Sequence, residues 1–272
     1  MTNLDQDQTN LASVEARILE HGIGLLTFRN PRQRNALSSG LLNALDEQLT
    51  KFANQKIPAV ILGGEADQAV WSAGYDLGEL ATDHDPVAYG KPLEKMLRRV
   101  RDYPGVVIAM VSGAAWGGAV DLVMSCDLVV ADHSARFTMT PVNIGLPYTT
   151  GGLLRFFNNL PIHILKEMFF CARPIDAPTA RHFGIINRLA DKGQLLATAQ
   201  DMARSVAEKA PLAIQAIKEQ LRILEELQPM PVQAMERISE LRRQACESND
   251  LIEGLAAFME QRAPVFTGKP SS

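Results

Sequence analysis

An α/β core carrying a helical C-terminal appendage is predicted by two features of this 272-residue sequence. Strand-like apolar runs alternate with helical segments up to about residue 190, and amphipathic helices alone follow. Two small-residue turns, "SAGYDL" and "WGGAVDL", each come after an apolar run and open a helix.

Residues 1–12 are polar and acidic and read as a disordered tail. The core is expected over 13–205 and a helical oligomerisation region over 206–272. "GIGLLTFRN" reads as a strand and "PRQRNALSS" as a loop. The next helix has Ser38 or Ser39 as its N-cap, with Leu41, Leu42, Leu45, Leu49 and Phe52 at helical spacing. "PAVILGG" is a continuous apolar run, as expected of a strand covered on both faces. "SAGYDLGEL" opens a short helix, and 86 to about 103 forms another. "GVVIAMVSG" is a strand, "AAWGGAVDLVMSC" a loop entering a helix, and "DLVVAD" and "ARFTM" short strands.

"FTMTPVNIGLPYTTGG", residues 137–152, is too broken by proline and glycine to be helical. It is either a plain connection or part of a site. Helices follow near 152–158, 161–171 and 177–183, then a strand at "IINRLA". Further helices are expected over 193–209, 211–227, 231–247 and 250–261, with Pro211 and Pro231 where a helix begins. "MERISELRRQA" and "LIEGLAAFMEQR" carry amphipathic stripes that fit either the chain's own core or another copy. Oligomerisation is the favoured expectation.

With 46% hydrophobic and 21% charged residues the chain has the composition of a globular protein. A formal net charge of −4 and a pI near 5.8 imply no general affinity for nucleic acid or an anionic membrane. An anionic ligand therefore needs a local basic cluster. Cys126, Cys171 and Cys246 are widely spaced and form no CxxC pair. They read as buried free thiols in a reducing, cytoplasmic compartment. The N-terminus lacks a basic stretch followed by an apolar one, so no secretory signal is expected. The five histidines show no zinc-like spacing, and no metal is expected.

The turns Ser72-Ala73-Gly74-Tyr75-Asp76 and Trp116-Gly117-Gly118-Ala119 present backbone N–H groups at helix starts, where glycine allows close approach. Two such turns can aim two donors at one oxygen and stabilise charge developing on a carbonyl. On spacing alone, close packing is the preferred explanation of either turn. Neither has the glycine spacing of a phosphate-binding loop. "FRNPRQRN" adds Arg29, Arg32 and Arg34, whose planar donor forks suit phosphate, although each is also an ordinary surface charge.

Taken with "NALS", "PIDAPTARHFGIINRL" and "KAPLAIQAIKEQL", these turns resemble the crotonase superfamily, the enoyl-CoA hydratase/isomerase family. The resemblance runs from about residue 20 to 266. Within the family, "TMTPVNIGLPY" is most similar to the members that decarboxylate methylmalonyl-CoA. The resemblance implies a superhelix of ββα turns, a C-terminal helical trimerisation region and trimers that pair into hexamers. It also implies an acyl-CoA thioester substrate, with coenzyme A part of that substrate and no separate cofactor. The oxyanion hole would be the backbone N–H groups of Tyr75 and Gly118, in agreement with the two glycine turns. The decarboxylase pattern has histidine at position 75, and Tyr75 keeps the N–H.

Hydratases of the family use two glutamates to handle water. The matching positions here are Asp121, one methylene shorter, and Pro141, which has no proton to give. Efficient hydration is therefore not expected, whereas decarboxylation of a malonyl-type thioester needs no base. Tyr148 is the candidate for orienting the substrate carboxylate through its hydroxyl, and Thr140 either adds a hydrogen bond or caps a turn. Asp121 orients water or neighbours, or sits on a buried helix face needing a partner; the alternative function is another crotonase reaction, enoyl-CoA hydration, isomerisation or thioester hydrolysis, with Asp121 as the working carboxylate. Arg34, Ala36 and Leu37 match the family's coenzyme-A-binding loop. Ala73, Tyr75, Asp76 and Leu77 match the segment whose backbone meets the adenine and pantetheine. Trp116, Gly117 and Pro141 border the acyl end. Phe258 and Arg262 are expected to reach a neighbouring subunit's ligand.

Overall fold

A computed structural model describes residues 12–64, 69–80, 90–227 and 230–268. Residues 1–11 of the tail expected over 1–12 and the start of the helix expected from 86 lie outside the described residues. Strands β1 (Ser13–Ile18), β2 (Gly24–Arg29), β3 (Ala59–Gly64), β5 (Val106–Val111), β7 (Leu128–Asp132) and β10 (Arg188–Ala190) form one sheet in the order β1-β2-β3-β5-β7-β10. Strands β4 (Val70–Ser72), β6 (Ala114–Trp116), β8 (Arg136–Thr138) and β9 (Ile175–Asp176) form a second sheet in that order. Pairing is parallel except between β1 and β2 and between β8 and β9.

The chain visits the two sheets alternately. β3, β5 and β7 each enter the large sheet, β4, β6 and β8 each follow in the small one, and helices come next. This is the expected superhelix of ββα turns. Helices α1 (Ser39–Asn54), α2 (Leu77–Leu80), α3 (Pro92–Arg101) and α4 (Gly118–Ser125) belong to its first turns. Then come α5 (Thr150–Phe157), α6 (Ile162–Cys171), α7 (Ala177–His182), α8 (Leu195–Ala207), α9 (Pro211–Glu226), α10 (Val232–Cys246) and α11 (Asn249–Met259).

Successive strand residues point to opposite faces. Leu26, Phe28, Val60 and Leu62 join the core with Leu41, Leu45 and Leu49 of α1, while Leu25, Ala59, Ile61 and Ile108 pack with Ala199 and Ala203 of α8. Each fully buried leucine of this kind contributes about 1.5–3 kcal/mol. Ser38 is the N-cap of α1, its hydroxyl accepting from the Leu41 N–H.

Three expectations need correction. The first strand is not the one from 22: β1 precedes it, and the alternation of Val14, Ala16 and Ile18 with Glu15 and Arg17 suits an edge strand. Ala114–Trp116 is not a loop but strand β6, held between β4 and β8. Cys171 is not buried but exposed; Cys126 and Cys246 are partly buried, and all three are free.

The C-terminal helices lie partly on their own core. In α11, Gly254 meets the turn at Pro141–Ile144 so closely that an added Cβ would fall 2.4 Å from the Ile144 carbonyl oxygen. On α9, Lys218 Nζ donates to the Gly105 carbonyl (3.0 Å) and pairs with Asp127 (2.7 Å). Leu212, Ile217, Leu221 and Leu224 of α9 and Met235 and Leu241 of α10 remain exposed. No helix among the described residues is long and apolar enough to cross a membrane.

Candidate active site

The loop before α1 and the turn after β4 are joined by main-chain bonds. Leu37 N–H donates to the Gly74 carbonyl (2.7 Å), Ala73 N–H to the Arg34 carbonyl (2.9 Å) and Asp76 N–H to the Leu37 carbonyl (3.4 Å). The structure thus gathers Arg34, Ala36, Leu37, Ala73, Tyr75, Asp76 and Leu77 at one place. Arg34 and Asn35 both adopt positive φ, 51° and 56°. Buried Asn35 holds that bend: its side chain donates to the Trp71 carbonyl (3.1 Å) and accepts from the Asn30 N–H (2.7 Å). The Ser72 hydroxyl donates to the Asn35 carbonyl (2.6 Å). Asn35 and Ser72 therefore set the loop's shape. Arg34 itself is exposed.

The two glycine turns lie against each other. A Cβ on Gly74, where φ is 87°, would sit 2.4 Å from the Trp116 carbonyl oxygen and 3.3 Å from the Gly118 nitrogen. A Cβ on Gly118 would sit 3.4 Å from the Tyr75 nitrogen. At Gly74 only glycine allows this approach, which sets the Tyr75 and Gly118 amides side by side. Gly118 begins α4, so its N–H has no intrahelical acceptor. Such a pair of amides is able to stabilise charge on one oxygen. The Tyr75 hydroxyl donates to Glu79 (3.3 Å), which also receives the Ser39 N–H. Trp116 is 42% exposed, and Gly117 beside it is buried.

Three residues into α4, Asp121 is 1% exposed. Its carboxylate accepts two bonds from Arg155 of α5, from Nε and Nη2, each 2.8 Å. It also accepts the Tyr148 hydroxyl hydrogen. The same guanidinium reaches Glu94 of α3 through Nη2 (3.1 Å) and Nη1 (3.3 Å). Burial alone would push the Arg155 guanidinium down, but the charges of Asp121 and Glu94 hold it above the ordinary arginine value. Burial, and then the Asp121 charge and hydrogen bond, hold the Tyr148 phenol well above its usual range, so it stays neutral. Its ring packs edge-on against Phe169 and Phe156. Asp121 thus has the buried partner that its helix face required. Arg155 and Glu94 were not among the expected site residues.

Segment 137–152 is a wall of this site. Pro141 starts a short 3-10 turn, Pro141–Ile144. Thr140 precedes it but its side chain does not cap it, which removes the turn-capping alternative. The Thr140 hydroxyl lies 3.0 Å from where a Cβ of Gly117 would be and has no hydrogen-bond partner among the described residues. Phe258 and Arg262 lie apart from this cluster. Phe258 is exposed, and Arg262 pairs with Glu253 (2.5 Å) and Glu260 (2.6 Å), which lowers Glu253 to about 2.

The family model described as enoyl-CoA hydratase/isomerase matches residues 19–269. The chain belongs to the enoyl-CoA hydratase/isomerase (crotonase) family. Methylmalonyl-CoA decarboxylase of Escherichia coli (strain K12) is 38% identical over 247 residues, covering 90% of this chain and 95% of its own length. Carnitinyl-CoA dehydratase of Salmonella typhi is 32% identical over 252 residues, covering 90% and 94%. A solved structure of methylmalonyl-CoA decarboxylase in complex with 2-nitronate-propionyl-CoA is 37% identical, covers 94% of this chain and 98% of its own, and has a TM-score of 0.91. An enoyl-CoA hydratase/isomerase structure from Pseudoalteromonas atlantica T6c is 26% identical, covers 94% and 100%, and has a TM-score of 0.79. The crotonase fold is thus shared closely with decarboxylases.

Proposed function

We propose that this crotonase decarboxylates methylmalonyl-CoA, or a closely related malonyl-CoA thioester, to propionyl-CoA and CO2. One observation carries the reading. Of the two positions where hydratases keep carboxylates, one is Pro141, and the other, Asp121, is tied up by Arg155 and Tyr148. General acid–base work on water needs a free carboxyl within hydrogen-bond reach. Decarboxylation makes no such demand. Likeness to proteins named methylmalonyl-CoA decarboxylase supports the choice of acyl group.

In this reading the N–H groups of Tyr75 and Gly118 receive the thioester oxygen. The C–CO2 bond stands perpendicular to the carbonyl plane. As it breaks, its electron pair moves into the carbonyl, CO2 leaves, and an enolate forms. The two donors bind the enolate oxygen more strongly than the starting carbonyl, which lowers the barrier. The enolate carbon then takes up a proton to give propionyl-CoA. Thr140 donates to the substrate carboxylate, a role open to it because its hydroxyl has no partner among the described residues. Tyr148, whose hydrogen is given to Asp121, orients the carboxylate as a wall backed by Phe156 and Phe169.

Arg34, Ala36, Leu37, Ala73, Asp76 and Leu77 line the coenzyme A path in the same reading, and Trp116, Gly117 and Pro141 border the acyl end. Phe258 and Arg262 serve a neighbouring copy's ligand in a cytoplasmic trimer or dimer of trimers. Coenzyme A enters as part of the substrate, with no separate cofactor.

The test is direct. Methylmalonyl-CoA given to the purified protein yields CO2 and propionyl-CoA. Thr140→Val lowers kcat/KM by about tenfold or more, the worth of a hydrogen bond to a charged group. Binding of propionyl-CoA, which lacks the carboxylate, stays unchanged. Absence of CO2 ends the proposal; equal loss of both ligands removes Thr140 from its role.

A further inference from the structure

Arg155 stands in the apolar run "LLRFF" and its side chain is only 6% exposed. It makes four hydrogen bonds to two carboxylates on two other helices, Asp121 on α4 and Glu94 on α3. Asp121 in turn takes the hydroxyl hydrogen of Tyr148, in the wall of the acyl pocket. One guanidinium therefore joins α3, α4 and α5. It does so three residues from Gly118, whose amide is half of the donor pair.

This arrangement answers an electrostatic difficulty. An unpaired Asp121 beside the acyl pocket would repel any acyl group that carries its own carboxylate. A bidentate arginine cancels that charge and fixes the plane of the carboxylate. Glu94 holds the far edge of the same guanidinium, so the cation stays with Asp121 instead of turning to the incoming ligand.

We infer that Arg155 is a positioning residue that makes the pocket selective for carboxylate-bearing acyl groups, by neutralising Asp121 and, through it, fixing the Tyr148 hydroxyl. The inference rests on the substrate class proposed above. With Arg155 gone, the orphaned Asp121 carboxylate repels a ligand that carries a carboxylate and leaves one without it unaffected.

Calorimetric titration at about pH 8 compares a non-cleavable CoA thioether bearing a carboxylate with propionyl-CoA. The coenzyme A phosphates are common to both ligands, so they cancel in the affinity ratio. Relative to the unaltered protein, Arg155→Met lowers the ratio by about tenfold, the size of one unit of differential charge interaction. Arg155→Lys, which keeps a point charge but not the fork, lowers it about threefold. The triple variant Arg155→Met/Asp121→Asn/Glu94→Gln, which leaves neither partner carboxylate alone, restores it. A purely structural role would lower thermal stability and leave every ratio unchanged. An unchanged ratio in folded Arg155→Met overturns the inference. If that variant does not fold, an unchanged ratio in Arg155→Lys overturns it. An unaltered protein that shows these ratios but releases no CO2 overturns the reaction proposed above and leaves the inference standing.

Discussion

Gly118→Pro is expected to lower kcat for decarboxylation by about 10²–10³-fold, the range seen when one oxyanion donor is removed. Proline is accepted at the first position of a helix, where the lost N–H has no intrahelical partner. Gly118 holds that position in α4. The added carbon atoms do meet the Leu93 side chain, since a Cβ there falls 2.8 Å from Leu93 Cδ2. Gly118→Ala brings the same Cβ and keeps the N–H, and so serves as the control. Its loss is expected to stay within about tenfold, because a flexible leucine tip is able to shift at a cost of about 1 kcal/mol. Steady-state kinetics on the two variants separate the added Cβ from replacement of the N–H by the ring Cδ. Equal losses would mean that the Gly118 amide carries no part of the reaction.

Asp121→Ala is expected to destabilise the fold by about 3–5 kcal/mol, the penalty for removing one partner of a buried ion pair. The aspartate is 1% exposed and takes three hydrogen bonds, two from Arg155 and one from Tyr148. Its loss leaves the guanidinium with Glu94 alone and the phenol hydrogen with no acceptor. Asp121→Asn keeps an acceptor oxygen and is expected to lose less. Urea unfolding at neutral pH reads the difference. If Asp121→Ala unfolds at the same urea concentration as the unaltered protein, the network is not holding α3, α4 and α5 together.

Much of the architecture was legible because long elements carry a period. The apolar spacing of Leu41, Leu42, Leu45, Leu49 and Phe52 marks α1, and the unbroken run of β3 marks a strand covered on both faces. The short strands β4, β6 and β9 have two or three residues each, too few to show alternation, and only their partners in the small sheet define them. The two glycine turns were visible as turns, but their mutual contact is a tertiary fact. That Pro141 stands where hydratases keep an acid came from the family resemblance, not from any local pattern. The bond from Tyr148 to Asp121 spans 27 residues, and those from Arg155 to Asp121 and Glu94 span 34 and 61. No local pattern encodes such pairings. A signal existed nonetheless: Asp121 and Arg155 are lone opposite charges in apolar helical runs, and buried charges need partners.

The central claim is that the proposed oxyanion site serves loss of CO2, with Asp121 committed to Arg155 and Tyr148. Side-by-side assay of methylmalonyl-CoA and crotonyl-CoA with the purified protein tests it most directly. The expected result is CO2 and propionyl-CoA from the first, with little loss of enoyl absorbance from the second. Rapid hydration of crotonyl-CoA with no CO2 from methylmalonyl-CoA would contradict it.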